Sequence, residues 1–77
     1  MNSVKVYGAD WCPMTRRAIN HLRLRGVPFE YINIEKDPGA SEWVKRQNDG
    51  KELKPTIDID GRILAEPSND ELDAALA

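Results

Sequence analysis

Seventy-seven residues with 31% charged side chains and a formal charge of −2 make one small domain, expected over 1–77, near the lower size limit for a fold without staples. A single cysteine excludes an internal disulfide framework, no Cys/His cluster has metal-ligand spacing, and no basic stretch suits nucleic acid. No apolar run is long enough for a membrane span and no signal-peptide core follows Met1, so the expectation is a cytoplasmic monomer whose thiol stays reduced.

Val4-Lys5-Val6-Tyr7 is a short β-type run that ends at Gly8-Ala9-Asp10. Pro13 suits the first turn of a helix, where its missing N–H would have no partner anyway. Met14, Ala18, Ile19 and Leu22 repeat at helical spacing, and Gly26 with Pro28 is the stop. Phe29–Ile34 reads as a second strand, rich in aromatic and β-branched residues. Asp37-Pro38 supplies an N-cap and a first-turn proline to a second helix, with Ala40, Trp43 and Val44 as its buried stripe and Asn48-Asp49-Gly50 as its close. Thr56-Ile57-Asp58-Ile59 alternates, Asp60-Gly61 is a hairpin turn, and Arg62–Ala65 is the return strand. Ser68 and Glu71 have capping-box spacing before a last helix that turns Leu72 and Leu76 inward.

The order is therefore β-α-β-α-β-β-α. The first strand–helix–strand unit is a right-handed parallel crossover and the last two strands form an antiparallel hairpin. Together they predict a four-stranded mixed sheet flanked by three helices, an α/β thioredoxin fold of the shortest kind.

The chemistry concentrates at Trp11-Cys12-Pro13-Met14-Thr15, where the first strand gives way to the first helix. A cysteine at a helix N-terminus faces free backbone N–H groups and the positive end of the helix dipole, which together favour thiolate. Arg16 and Arg17, in the turns that follow, are candidates to add positive potential. Thiolate is the attacking species in disulfide exchange. Thr15, three positions on, is placed either to donate a hydrogen bond to the sulfur or to cap a backbone group. It cannot resolve a mixed disulfide, so an external thiol must. Pro55 stands before a β run, where a proline inside a strand would forfeit a ladder bond.

In combination, Trp11-Cys12-Pro13, Lys54-Pro55-Thr56, Asp60-Gly61 and Pro67-Ser68-Asn69-Asp70-Glu71 resemble the glutaredoxin family, specifically its short bacterial, mycoredoxin-like branch. The resemblance implies a nucleophilic Cys12 supported by Trp11, Pro13, Thr15 and Arg16, and a cis peptide before Pro55. It also implies a groove for a low-molecular-weight thiol, glutathione or a bacterial equivalent, along Lys54, Pro55, Asn69 and Asp70. No tightly bound cofactor and no metal belong to this expectation; protein mixed disulfides and small thiols are the partners. Thr15 stands where the family's dithiol members keep a resolving cysteine, and Lys54 replaces a small β-branched residue. The paired glycines common before the last helix are replaced by Pro67-Ser68.

The leading expectation is a monothiol thiol–disulfide oxidoreductase. A non-catalytic redox-sensing module of the same fold and an iron–sulfur cluster carrier are the alternatives, the latter disfavoured by Pro13 next to the cysteine. His21 is expected on the exposed, polar side of the first helix with Arg17 and Arg25. Trp43 is expected in the core. Trp11 has two readings, a shield over the sulfur or packing beneath the loop. Asp58, Asp60 and Glu66 are too dispersed for a metal site.

Overall fold

A computed structural model describes residues 3–77; the first two positions of the domain expected over 1–77 lie outside it. The chain forms β1 (Val4–Gly8), α1 (Pro13–Leu24), β2 (Glu30–Asn33), α2 (Pro38–Gln47), β3 (Thr56–Ile59), β4 (Arg62–Ala65) and α3 (Asn69–Leu76). One sheet holds all four strands in the order β2-β1-β3-β4. β1 runs parallel to β2 and antiparallel to β3, and β3–β4 is an antiparallel hairpin. Fold class and element order are those expected; β2 is shorter than Phe29–Ile34, although Ile34 is buried and its N–H still bonds Gly8 O at 3.0 Å.

Alternation along β1 divides the two faces of the sheet. Val4 and Val6 point into a cluster with Ala18 and Leu22 of α1, Ile57 and Ile59 of β3 and Leu72 of α3. Tyr7 points the other way and stacks on Trp43 of α2, ring centroids 4.5 Å apart. The helices thus sort as α1 and α3 against one face and α2 against the other.

Local signals set the boundaries. Gly26, at φ 69, ends α1 in a left-handed residue, and the Val27 N–H reaches back to Leu22 O at 2.9 Å. Asp37 caps α2 through the Ala40 N–H at 3.0 Å. Ser68 and Glu71 form the reciprocal capping box of α3, at 3.1 and 2.9 Å. Asp60 and Gly61 both take positive φ, as a tight two-residue hairpin turn requires. Glu66 also takes a positive φ of 48 and donates its N–H to Pro55 O at 2.8 Å, which fastens the end of β4 to the loop before β3.

One expectation about α1 fails. Met14 is 37% exposed, and the buried stripe runs through Thr15, Ala18 and Leu22 instead. Both sets obey helical spacing; the helix is rotated so that the polar Thr15, not Met14, faces the end of β1. Leu22→Ala should therefore lose about 2–5 kcal/mol of stability and Met14→Ala less than about 1 kcal/mol in urea unfolding; comparable losses would mean the helix is rotated otherwise.

Candidate active site

Cys12 is the N-cap of α1, with extended backbone (φ −76, ψ 117) and Pro13 as the first helical residue. Its N–H bonds Ala9 O at 3.1 Å and its carbonyl accepts the Arg16 N–H at 3.0 Å, so the loop after β1 closes directly into the helix. The residue is 8% exposed. As a thiol, Sγ donates to Lys54 O at 3.9 Å, which brings the sulfur against the carbonyl immediately before Pro55. The Lys54–Pro55 peptide is cis, as the family resemblance implies.

Burial works against ionisation of this sulfur. The Thr15 hydroxyl, the backbone N–H groups of Thr15 and Met14 and the Lys54 ammonium work for it, and together they hold the thiol below its ordinary pKa. The cation that acts on the sulfur is thus Lys54. Neither arginine expected for that task performs it: Arg17 donates to Pro67 O at 3.2 Å, and Arg16 lines a separate hollow on another face of α1.

Thr15 is wholly buried, and its Oγ1 accepts the Ala9 N–H at 3.5 Å. It pairs a backbone donor, and its hydroxyl is among the groups that favour the thiolate. Gly8 makes room for it: a Cβ at Gly8 would stand 2.5 Å from Thr15 Cγ2 and from Oγ1, closer than such atoms approach. The role of Gly8 was missing from the sequence reading, where a glycine at a strand end signals only a turn.

Lys54 is held from several sides. Its Nζ donates to Glu52 Oε1 at 3.1 Å and lies 5.4 Å from the centroid of the Trp11 ring. The Ser41 hydroxyl bonds the second Glu52 oxygen, and this contact, then that of Lys54, lowers the Glu52 pKa. Trp11 is 61% exposed and donates Nε1–H to Glu35 Oε2 at 2.8 Å. It does not pack beneath the loop; an exposed glutamate and a lysine fix its edge and face. Glu35 and Ser41 carried no sequence signal, because their partners, Trp11 and Glu52, lie on other segments of the chain.

The start of α3 is tied to the same region by Arg17 to Pro67 O and by Glu66 N–H to Pro55 O. Of the two groove residues expected there, Asn69 has a buried Oδ1 without a hydrogen-bond partner among the described residues, and Asp70 is exposed in the first turn. His21 departs from expectation. Its Nε2 pairs with Asp73 Oδ1 of α3 at 2.7 Å, Arg25 contacts the same oxygen, and the ring is 18% exposed rather than open to solvent. The His21 and Arg25 contacts, in that order, lower the Asp73 pKa. Among the described residues no three His, Cys, Asp or Glu side chains gather as a metal site would need, and no helix is long and apolar enough to cross a membrane.

The family model for glutaredoxin matches residues 4–64. Mycoredoxin 1 of Corynebacterium glutamicum is 39% identical over 57 residues, covering 74% of this chain and 70% of that protein. A Mycobacterium tuberculosis protein assigned to the glutaredoxins is 31% identical over 75 residues, 96% of this chain and 89% of its own. Among solved structures, a thioredoxin-like protein superposes with a TM-score of 0.84 at 25% identity, covering 95% of this chain and 99% of that one. A glutaredoxin from Archaeoglobus fulgidus superposes at 0.79 with 22% identity, over 99% and 87% of the two chains, a likeness of fold.

The alkylation rate of Cys12 should rise with pH through a midpoint below about 8.5, the ordinary thiol value. Thr15→Val and Lys54→Gln should each raise that midpoint, because each removes a group that favours thiolate. Since the folded pKa lies below the unfolded one, the stability this site contributes is full above the ordinary thiol pKa and is lost as pH falls through the lowered value. A midpoint at or above the ordinary value in the unmodified protein would contradict the arrangement described.

Proposed function

Because the chain belongs to the glutaredoxin family of thiol–disulfide oxidoreductases, within its short bacterial branch, we propose that it works with one thiol, reducing mixed disulfides between proteins and a low-molecular-weight thiol. The observation that carries this reading is Cys12 at the N-terminus of α1 with its pKa lowered, while Thr15 occupies the position three residues on. The Cys12 thiolate attacks the small-thiol sulfur of a protein mixed disulfide. A new S–S bond forms to Cys12, the old one breaks, and the protein leaves as thiolate. A second molecule of small thiol, as thiolate, attacks the Cys12 adduct, releases the small-thiol disulfide and regenerates Cys12. Reduction of that disulfide falls to a separate reductase.

The donors that favour the Cys12 thiolate also make it a good leaving group in the second step, so they serve attack and release alike. The small thiol is held along Lys54, Pro55, Asn69 and Asp70. Two features support that assignment: the sulfur lies against Lys54 O, and Asn69 Oδ1 is an acceptor without a partner. An ammonium or amide N–H of the small thiol would satisfy it, and unpaired buried acceptors cost about 1–3 kcal/mol. The free N–H groups and dipole of α3 favour a carboxylate at the same place.

Intact-mass measurement after exposure to the disulfides of glutathione, bacillithiol and mycothiol should show one adduct on Cys12, removed by excess of the same thiol. No adduct with any of the three, and no turnover of their mixed disulfides, would overturn the proposal. Thr15→Cys should divert the chain to an internal disulfide two mass units lighter and make the adduct transient; a stable adduct in that variant would mean the two positions do not face each other.

A further inference from the structure

Next to Thr15, on a different face of α1 from the contacts to Pro67 and Asp73, lies an open hollow of about 260 Å³. Arg16, Ile19, Asn20 and Arg23 form one wall, at the i, i+3, i+4 and i+7 spacing of a single helix face, with Asp10 and Tyr31 opposite. Thr15 belongs both to this hollow and to the group that favours the Cys12 thiolate. Burial, then Asp10, Glu35 and lastly the charge on Cys12 push the Tyr31 phenol up.

The charges around it are not neutralised within the protein. α1 carries Arg16, Arg17 and Arg23 and no carboxylate, in a chain of net charge −2. Arg17 is engaged with Pro67 O, and Arg25, just past the helix, with Asp73. Arg16 and Arg23 enter no ion pair among the described residues; Arg23 rests on the Phe29 ring, 5.9 Å from its centroid. Asp10 is the one carboxylate that lines the hollow, and one of its oxygens accepts the Tyr31 hydroxyl at 2.7 Å; Glu35, which also acts on Tyr31, lies outside the lining and accepts the Trp11 Nε1–H.

We propose that this hollow is a docking subsite for the polypeptide half of the substrate, and that it selects acidic segments beside the reacting cysteine. The inference rests on the oxidoreductase reading of Cys12 and adds to it a partner chemistry. Two guanidinium groups two helical turns apart are separated by about 10 Å along the axis, too far for one phosphate or carboxylate to bridge. A peptide in polyproline II conformation advances about 9 Å in three residues and returns to the same face, so acidic side chains at that separation meet both arginines. Asp10 keeps its second oxygen for a peptide N–H, and Asn20, between the arginines, offers both a donor and an acceptor. The small-thiol half of the same disulfide occupies the other side of the sulfur, along Lys54 and Pro55.

The test uses cysteine peptides joined to glutathione as mixed disulfides, in which Cys12 attacks the glutathione sulfur and the peptide leaves as thiolate. One peptide carries a pair of glutamates three residues apart next to its cysteine, and the control carries glutamines. At low salt the glutamate peptide should react about tenfold faster, with the advantage fading as salt rises. Arg23→Gln should reduce the preference to about threefold or less and Asn20→Asp should abolish it, while a small neutral pyridyl disulfide reacts with both variants at the unmodified rate. Equal rates for the two peptides, or a preference that survives both substitutions, would overturn the subsite. If Cys12 proves sluggish toward every disulfide, the function reading fails instead. The subsite is then judged by NMR titration of the full chain with the glutamate peptide bearing serine for cysteine. Salt-sensitive shifts at Asn20, Arg23 and Tyr31 uphold it, and their absence rejects it.

Discussion

Val6, Ala18, Leu22, Ile57 and Leu72 lose all contact with solvent, and in a chain this short that cluster holds everything else in place. No disulfide supplements it; the one cysteine is free. Each of the larger side chains contributes about 1.5–3 kcal/mol by leaving water, against the ordering cost of the whole chain. The consequence reaches the chemistry directly. Ala18 and Leu22 fix α1 across β1 and β3, and a helix fixed at those positions delivers its N-terminus, with Cys12, to the end of β1. The site is built on the first turn of a packed helix, which is more exact a support than a loop.

At that N-terminus two tendencies compete. Burial protects the sulfur from bulk water but disfavours its charge, and the fold answers with several modest donors in place of one strong cation. Thr15 supplies a hydroxyl and an N–H, Met14 an N–H, and Lys54 a charge held at its distance by Glu52 and the Trp11 ring. Lys54 thereby acts twice, with its carbonyl against the thiol and its ammonium in the field of the thiolate. The arginines of α1 are distributed elsewhere: Arg17 ties α1 to the loop before α3, Arg25 joins His21 on Asp73, and Arg16 and Arg23 line the neighbouring hollow.

Much of this was legible in the chain. Signals confined to a few consecutive residues read correctly: the Asp37 cap, the Ser68–Glu71 box, the Asp60-Gly61 turn and the break at Gly26 are settled by local backbone chemistry. The cis peptide at Pro55 came from family resemblance, since proline chemistry by itself favours trans. The misreadings share a different cause. His21 looked exposed because its partner, Asp73, is fifty-two residues away. Arg16 looked like the thiol's cation because it is near in sequence, whereas Lys54 is forty-two residues from Cys12 and adjacent in space. Met14 and Thr15 both satisfy helical spacing, and only the close fit against Gly8 decides which one turns inward.

That fit also limits how the chain can vary. With the Gly8 backbone so close, the space at position 15 suits a short side chain. Threonine, serine and cysteine satisfy the restriction, and in the genetic code serine lies one base change from each of the other two. Any side chain at position 8 would close the space that position 15 uses, so Gly8 acts on the thiol's surroundings through packing alone.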